Sequence, residues 1–396
     1  SDADNFNTAV GFEAGQAVTT GQFNSLIGAQ AGLALTTGGR NTVNGFGALG
    51  ADTLGSRAVA IGFGALDAQN FTTATDNYNV AVGYDAGGAI TTGTQNTIVG
   101  SLALDAADTG AANVAVGYQA LTADTKGQNN VAVGHNALAT QNLTTATNSY
   151  NTAVGSQAGL TISTGVLNTL IGGLAGDALT SGNNNTAVGY LALSADTLGD
   201  RNTAIGTSAL TAQNFTTSTD SYNTAVGFTA GASITDGIKN TLVGGLAGDA
   251  LTDADQNVAL GFGALSSDTL GSRATAIGES ALVSQNFTTA TQNYNVAVGY
   301  FAGGSVTTGV NNTLVGAQAG DAITTANANT AVGHLALSSN TASKKNVAIG
   351  KDALRDFNVT TATDTHNVAV GVDAGVSMTT GVQNTLVGGR AGDALT

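Results

Sequence analysis

Chemistry needs groups that converge, and this chain of 396 residues offers few candidates. Its three histidines (His135, His334, His366) and two glutamates (Glu13, Glu279) lie far apart in sequence. There is no cysteine, and no His-x-x-x-His spacing supports a transition metal. Asp52, Asp124, Asp196 and Asp268 recur every 72 residues, but one calcium ion needs its carboxylates together. Asp253 and Asp255, in "TDADQN", are the densest acidic pair and the one local candidate for calcium; the calcium-roll word G-G-x-G-x-D is absent. Glycoside cleavage would need two carboxylates about 5–10 Å apart, and no such pair stands out. The word "GGLAG" at 172–176 lacks the following Lys-Ser or Lys-Thr of a phosphate loop and is read as corner glycines. Lys344, Lys345, Lys351 and Arg355 hold four of the eleven basic residues and read as a solvated edge. The sequence therefore predicts no catalytic residue, no cofactor, no metal and no enzyme.

Composition narrows the partners. The formal net charge is −15 on a chain with only 9% charged residues, which disfavours nucleic acid and anionic lipid. No run of about 18 apolar residues exists to span a bilayer. The apolar 42% is mostly Ala, Val, Leu and Ile, so any core must be thin and built of small side chains.

What positions these residues is a repeat. Words such as "NVAVGYQAL" (113–121) and "NVAVGHNAL" (130–138) recur in 22 units, spaced 17, 17, 17 and 21 residues, a block of 72. Within a unit, position five is Gly in all 22, including Gly11, Gly28, Gly83, Gly117, Gly155, Gly227, Gly299 and Gly371, and position eight is always Ala. Position one is Asn in 20, including Asn7, Asn24, Asn79, Asn113 and Asn151, with Ala58 and Ala274 the exceptions. Seventeen residues suit one turn of a β-solenoid, and β-branched residues at positions two and four favour strand. The expectation is an all-β parallel β-solenoid, residues 1–396, of 22 coils. Rungs about 4.8 Å apart would make a rod roughly 100 Å long. Position four is expected to face the interior, with position two beside it, leaving Ala and Gly of positions three and five on the opposite face. Stacked asparagines should form a polar ladder, with glycines at the corners, a second one at position 15.

Position nine is Gly in the first two units of a block and Leu in the last two, with Leu104 the one departure, and position three is Leu or Ile only in the second. Block duplication is the favoured reading of this finer code. Every fourth unit carries four extra residues, as in "NFTTATDNY" (70–78), expected to bulge as a loop. Phe71, Phe215 and Phe287, with Tyr78, Tyr150, Tyr222 and Tyr294, would fall in register there. They serve either as repeated partner contacts or as lids over their own loops. Each loop also contains N-x-T, the glycosylation acceptor pattern, at Asn70, Asn142, Asn214, Asn286 and Asn358, which a chain this rich in Asn and Thr produces by composition. Residues 1–6 match the tail of an insertion unit, and the last unit stops after "AGDALT", so the chain reads as a piece of a longer array without caps.

The words "NVAVGYQAL", "NTAVGYLAL" (185–193) and "NTAIGTSAL" (202–210) resemble the head repeats of YadA-like trimeric autotransporter adhesins and similar repeats of phage tail fibres. The resemblance spans the whole chain, though its coil is longer than the family's usual 14 residues. It implies a left-handed β-roll and a homotrimer, and small residues at positions three and five would let chains approach closely. The functional expectation is a structural segment of an extracellular fibre, on a cell surface or virion appendage. It would give reach and multivalent attachment to itself and to a cell-surface or matrix receptor. The alternatives are an ice- or polysaccharide-binding surface lattice and an end-to-end polymerising filament subunit.

Overall fold

A computed structural model describes residues 4–396; the N-terminal repeat match therefore lies partly outside the described residues. The chain is all-β, a parallel β-solenoid of about 22 turns, with no helix among the described residues. It divides into two compact units, the first running to Asp200 and including Thr216–Thr219, the second comprising Arg201–Phe215 and Asp220–Thr396. Each unit holds eleven coils.

Every coil contributes one three-residue strand, from Thr8–Val10 to Thr186–Val188 in the first unit and Thr203–Ile205 to Thr385–Val387 in the second. Neighbours pair parallel and in register, position two on two and four on four, for example Val114↔Val131 and Val116↔Val133. The 21-residue coil keeps that register, as Val131↔Thr152 shows. The end of the longer coil forms a small separate ladder with the coil before it, Thr75–Asp76 against Gly55–Ser56.

The faces of the sheet are the reverse of the expectation. Position three points inward: Leu26, Ala60, Ala115 and Leu170 are at most 1% exposed. Position four points outward, with Ile27 and Ile171 about 40% exposed. The cause is parity. The position-one asparagines are buried, and alternation along a strand puts position three on their side. The aliphatic volume expected from position four comes instead from position eight (Ala31 to Ala374), position nine (Leu49, Leu66) and position twelve (Leu35, Ile90), all fully buried. The argument that small residues at position three let chains approach fails for the same reason, because that alanine lies inside its own coil.

After the strand, position five takes φ between +127° and +152° in all 22 units, a region essentially closed to L-residues. A Cβ at Gly117 would also lie 2.4 Å from the Gly134 carbonyl oxygen one coil on. Two constraints thus fix one residue type. Three short turns follow, closing from position five to eight, seven to ten and nine to twelve.

The finer code is a packing code. In the second coil of a block, position three is large, and its tips fill the space left by two position-nine glycines. A Cβ at Gly159 or at Gly176 would lie 2.8 Å from Leu170. In the third and fourth coils position nine is Leu and position three shrinks to Ala, apart from Val43. Leu104 departs from this rule, and its coil compensates: position twelve is Ala107 where the equivalent coil has Leu179. Native interiors are close-packed, so one leucine displaces another.

Candidate functional site

Among the described residues, no three His, Asp or Glu side chains converge to hold a metal. The features that recur with possible function are the asparagine ladder, the insertion loop and the outward face.

In the ladder each asparagine serves two coils. Asn113 Nδ2 donates to the Gly127 carbonyl of its own coil (2.9 Å). Its Oδ1 accepts the Asn130 backbone N–H of the next (2.9 Å). Asn7, Asn24, Asn79 and Asn151 make the same pair of bonds. The ladder is mostly side chain to backbone; amide-to-amide bonds are longer, as at Asn96–Asn79 (3.3 Å). The position-15 residues supply the carbonyl for it.

Ala58 and Ala274 break the ladder, and the loop mends it. Where position one is Ala, the loop carries Asn77 or Asn293, whose Oδ1 accepts the next Asn N–H (2.9 Å in both). Where position one is Asn (Asn130, Asn202, Asn346), the loop carries Ser149, Ser221 or Thr365, whose hydroxyl donates to that Asn (2.7 Å in each). All five loops obey this exchange. The splice still has a cost, since Asn77, Asn293 and Asn130 each leave a buried Nδ2 without a protein partner.

Beneath the loop sits a buried relay. Asp52 accepts Gln69 Nε2 (2.6 Å) and the N–H groups of Gly55 and Phe71. Gln69 Oε1 accepts Asn79 Nδ2 (2.8 Å). The relay repeats at Asp124–Gln141–Asn151 and Asp268–Gln285–Asn295. Burial without a cation raises Asp124 above the ordinary carboxylate range, against the pull of its hydrogen bonds. In the fifth loop both partners change: Asn340 closes on Ser343, and Phe357 fills the glutamine's place, fully buried. The recurring aspartates read from the sequence are thus loop anchors.

The loop aromatics separate into two roles. Phe71, Phe215 and Phe287 are 5–6% exposed, so of the two expected roles these rings take that of lids over their own loops. Their N–H is drawn in by the buried carboxylate, as at Phe287 and Asp268 (3.0 Å), and the ring follows. Tyr78, Tyr150, Tyr222 and Tyr294 are about half exposed. Arg57 lies 5.3 Å above Tyr78, donates to its hydroxyl (2.7 Å) and pairs with Asp76. Arg201, Tyr222 and Asp220 repeat this clasp. Arg273 grips Tyr294 with Gln292 in place of the carboxylate. Beside Tyr150, cation and anion are both replaced by asparagine, Asn129 bonding Asn148 (2.9 Å). Sequence reading missed these couplings, although the paired changes between blocks were visible in it.

Asp253 and Asp255 line a cavity of about 300 Å³ with Gln256, Ser272, Arg273, Thr291 and Gln292. Burial, then Asp255 and Asp236, push Asp253 upward.

The outward face is continuous within each unit. Thr or Val at position two (Ser25 apart) and Val, Ile or Leu at position four (Asn44 apart) are flanked at position six by exposed rings, among them Phe46, Phe63, Tyr84, Tyr190, Phe228 and Tyr300. Phe46, Phe63 and Tyr84 stack in sequence 5.4 Å apart. His135 and His334 occupy the same exposed row, His135 stacked on Tyr118. Compared with known proteins, the chain matches no family model and no curated protein.

Proposed function

We propose that this chain is a structural repeat segment of an extracellular fibre, an adhesin or tail-fibre shaft of the YadA-like kind, and not an enzyme. The observation that carries the reading is the outward face. Contiguous exposed apolar surface marks an interface. Here one face of eleven coils in each unit presents Val, Ile and aromatic rings in register, with Thr among them. Self-association through that face, as a homotrimer, would cover it and leave the polar loop edges for a receptor. Many weak equivalent contacts then supply attachment. Immunogold labelling of the producing cells or virions tests this: label on extracellular appendages is expected, and label confined to the cytoplasm overturns it.

A second reading gains from the reversed faces. Position two, Thr in 13 of 22 coils, points outward, as a surface-lattice binder for ice or crystalline polysaccharide would need. Thermal hysteresis, or pull-down on insoluble glycan, supports it; absence of both removes it.

A further inference from the structure

We propose that the five insertion loops are N-glycan acceptor sites, modified at Asn70, Asn142, Asn214, Asn286 and Asn358. Composition produces the N-x-T pattern in this chain, so pattern alone decides nothing; the structure separates its parts. The backbone N–H of Asn70 is held in the coil ladder by the Thr91 carbonyl (2.9 Å). Its Oδ1 accepts the Thr53 hydroxyl (3.0 Å), and the same bond recurs at Asn142, Asn286 and Asn358. With Oδ1 engaged, the nitrogen that takes the sugar is left over, on a residue that is exposed at 70, 142 and 286 and half-buried at 358. Among the described residues no group accepts a hydrogen bond from Nδ2 at these four positions. The middle residue of the motif turns inward: Phe71, Leu143, Phe215 and Phe287 are buried. The threonine two residues on (Thr72, Thr144, Thr216, Thr288, Thr360) is exposed in every loop. Asn and Thr thus flank a buried residue and are both open to solvent in the first four loops, where one enzyme can read both.

The threonine hydroxyl is the second part of the acceptor. Among the described residues it makes no hydrogen bond, and all five loops keep the threonine, as they keep the exposed threonine that follows. Around it the loops have drifted: position 71 is Phe, Leu or Val in its copies, position 76 Asp, Asn or Gln, position 77 Asn, Ser or Thr. The fold uses the asparagine through its bond to Thr53 and leaves the threonine hydroxyl open to a transferase. Asn184 and Asn311 also fit the pattern, but their threonines, Thr186 and Thr313, lie in sheet strands, where the fold accounts for them.

In the reaction, an N-glycosyltransferase joins Nδ2 to C1 of a diphosphate-activated sugar. The C1–O bond to phosphate breaks, the diphosphate carrier leaves with its electron pair, and one amide proton passes to a base of the transferase. The carrier is a nucleotide or a lipid. A single-hexose adduct identifies the first and a preassembled oligosaccharide the second.

The test is peptide mass spectrometry of the full chain purified from the cells that make it. Sugar on the loop asparagines is expected, with Asn184 and Asn311 unoccupied. Thr144→Ala should abolish sugar at Asn142 alone, Thr144→Ser should keep it, and neither should move the thermal midpoint, because that hydroxyl makes no hydrogen bond among the described residues. Bare loops, sugar on Asn184 or Asn311 in place of the loops, or an Asn142 adduct that survives Thr144→Ala would overturn the proposal. None of these outcomes bears on self-association.

Discussion

The packing code makes a prediction for which the chain contains its own control. In the coil that starts at Asn168, position nine is Gly176 and position twelve is Leu179, fully buried. A Cβ on Gly176 would meet Leu170 at 2.8 Å and Leu179 at 2.9 Å. Gly176→Leu alone overpacks this space. Overpacking costs about 1–3 kcal/mol, and a leucine in the left-handed region about 1 more. Leu179→Ala alone opens a cavity beside two glycines that have no side chain to fill it, costing about 2–5 kcal/mol. Together the two substitutions recreate the native pair Leu104 and Ala107, both buried beside Ile98. The double variant should therefore lie within about 2 kcal/mol of the parent, a coupling of about 2 kcal/mol or more. Solenoids lose coils locally, so the assay is native-state hydrogen exchange. The amides to follow are Gly172, bonded to Val154, and residue 176, bonded to Ala192. Costs that add to within about 0.5 kcal/mol would refute the idea that one leucine stands in for the other.

The ladder splice behaves alike. Asn77→Ser should cost about 1–3 kcal/mol by leaving the Asn79 N–H without its acceptor, and adding Ala58→Asn should restore it, both read by exchange at Asn79. Gly117→Ala should cost much more than Gly388→Ala, since both carry the unfavourable φ, about 1–3 kcal/mol, but a Cβ at Gly388 meets nothing closer than 4.0 Å; equal losses in unfolding midpoint would contradict this. Burial raises the carboxyls of Asp124, Asp105, Asp177, Asp249 and Asp321, so they bind protons more readily folded than unfolded. Stability should then rise as pH falls toward their unfolded value, about 3.9, and be lost as pH rises through the raised values. A thermal midpoint that drops between pH 7 and 5 would count against it.

Coil length, strand position and the all-β class were legible because glycine and asparagine recur at fixed spacing and each has a steric or hydrogen-bonding reason. The inside and outside of the sheet were not. Val against Ala at alternate positions suggests that the larger residue is buried, but a coil this narrow has little width for opposed valines, and its core is filled from the turns. The buried Asn113 was the clue, since its parity fixes that of Ala115. The loop was legible as a bulge but not as a device. Exchanges such as Ala58 with Asn77, or Asn340 with Phe357, become meaningful only when residues 17 to 21 apart are known to touch. Duplication explains why the blocks look alike; packing explains why their four coils differ.

The account turns on the outward face, and the molar mass of the intact chain in solution tests it most directly. Light scattering should give a multiple of the 38.6 kDa chain, three for a homotrimer. Val116→Lys with Val133→Lys, both at position four, should lower that mass to one chain while the far-ultraviolet dichroism of the folded solenoid persists. A parent protein that runs as a single chain, or a charged variant that stays assembled, would contradict the claim that this face is where the chain meets its own copies.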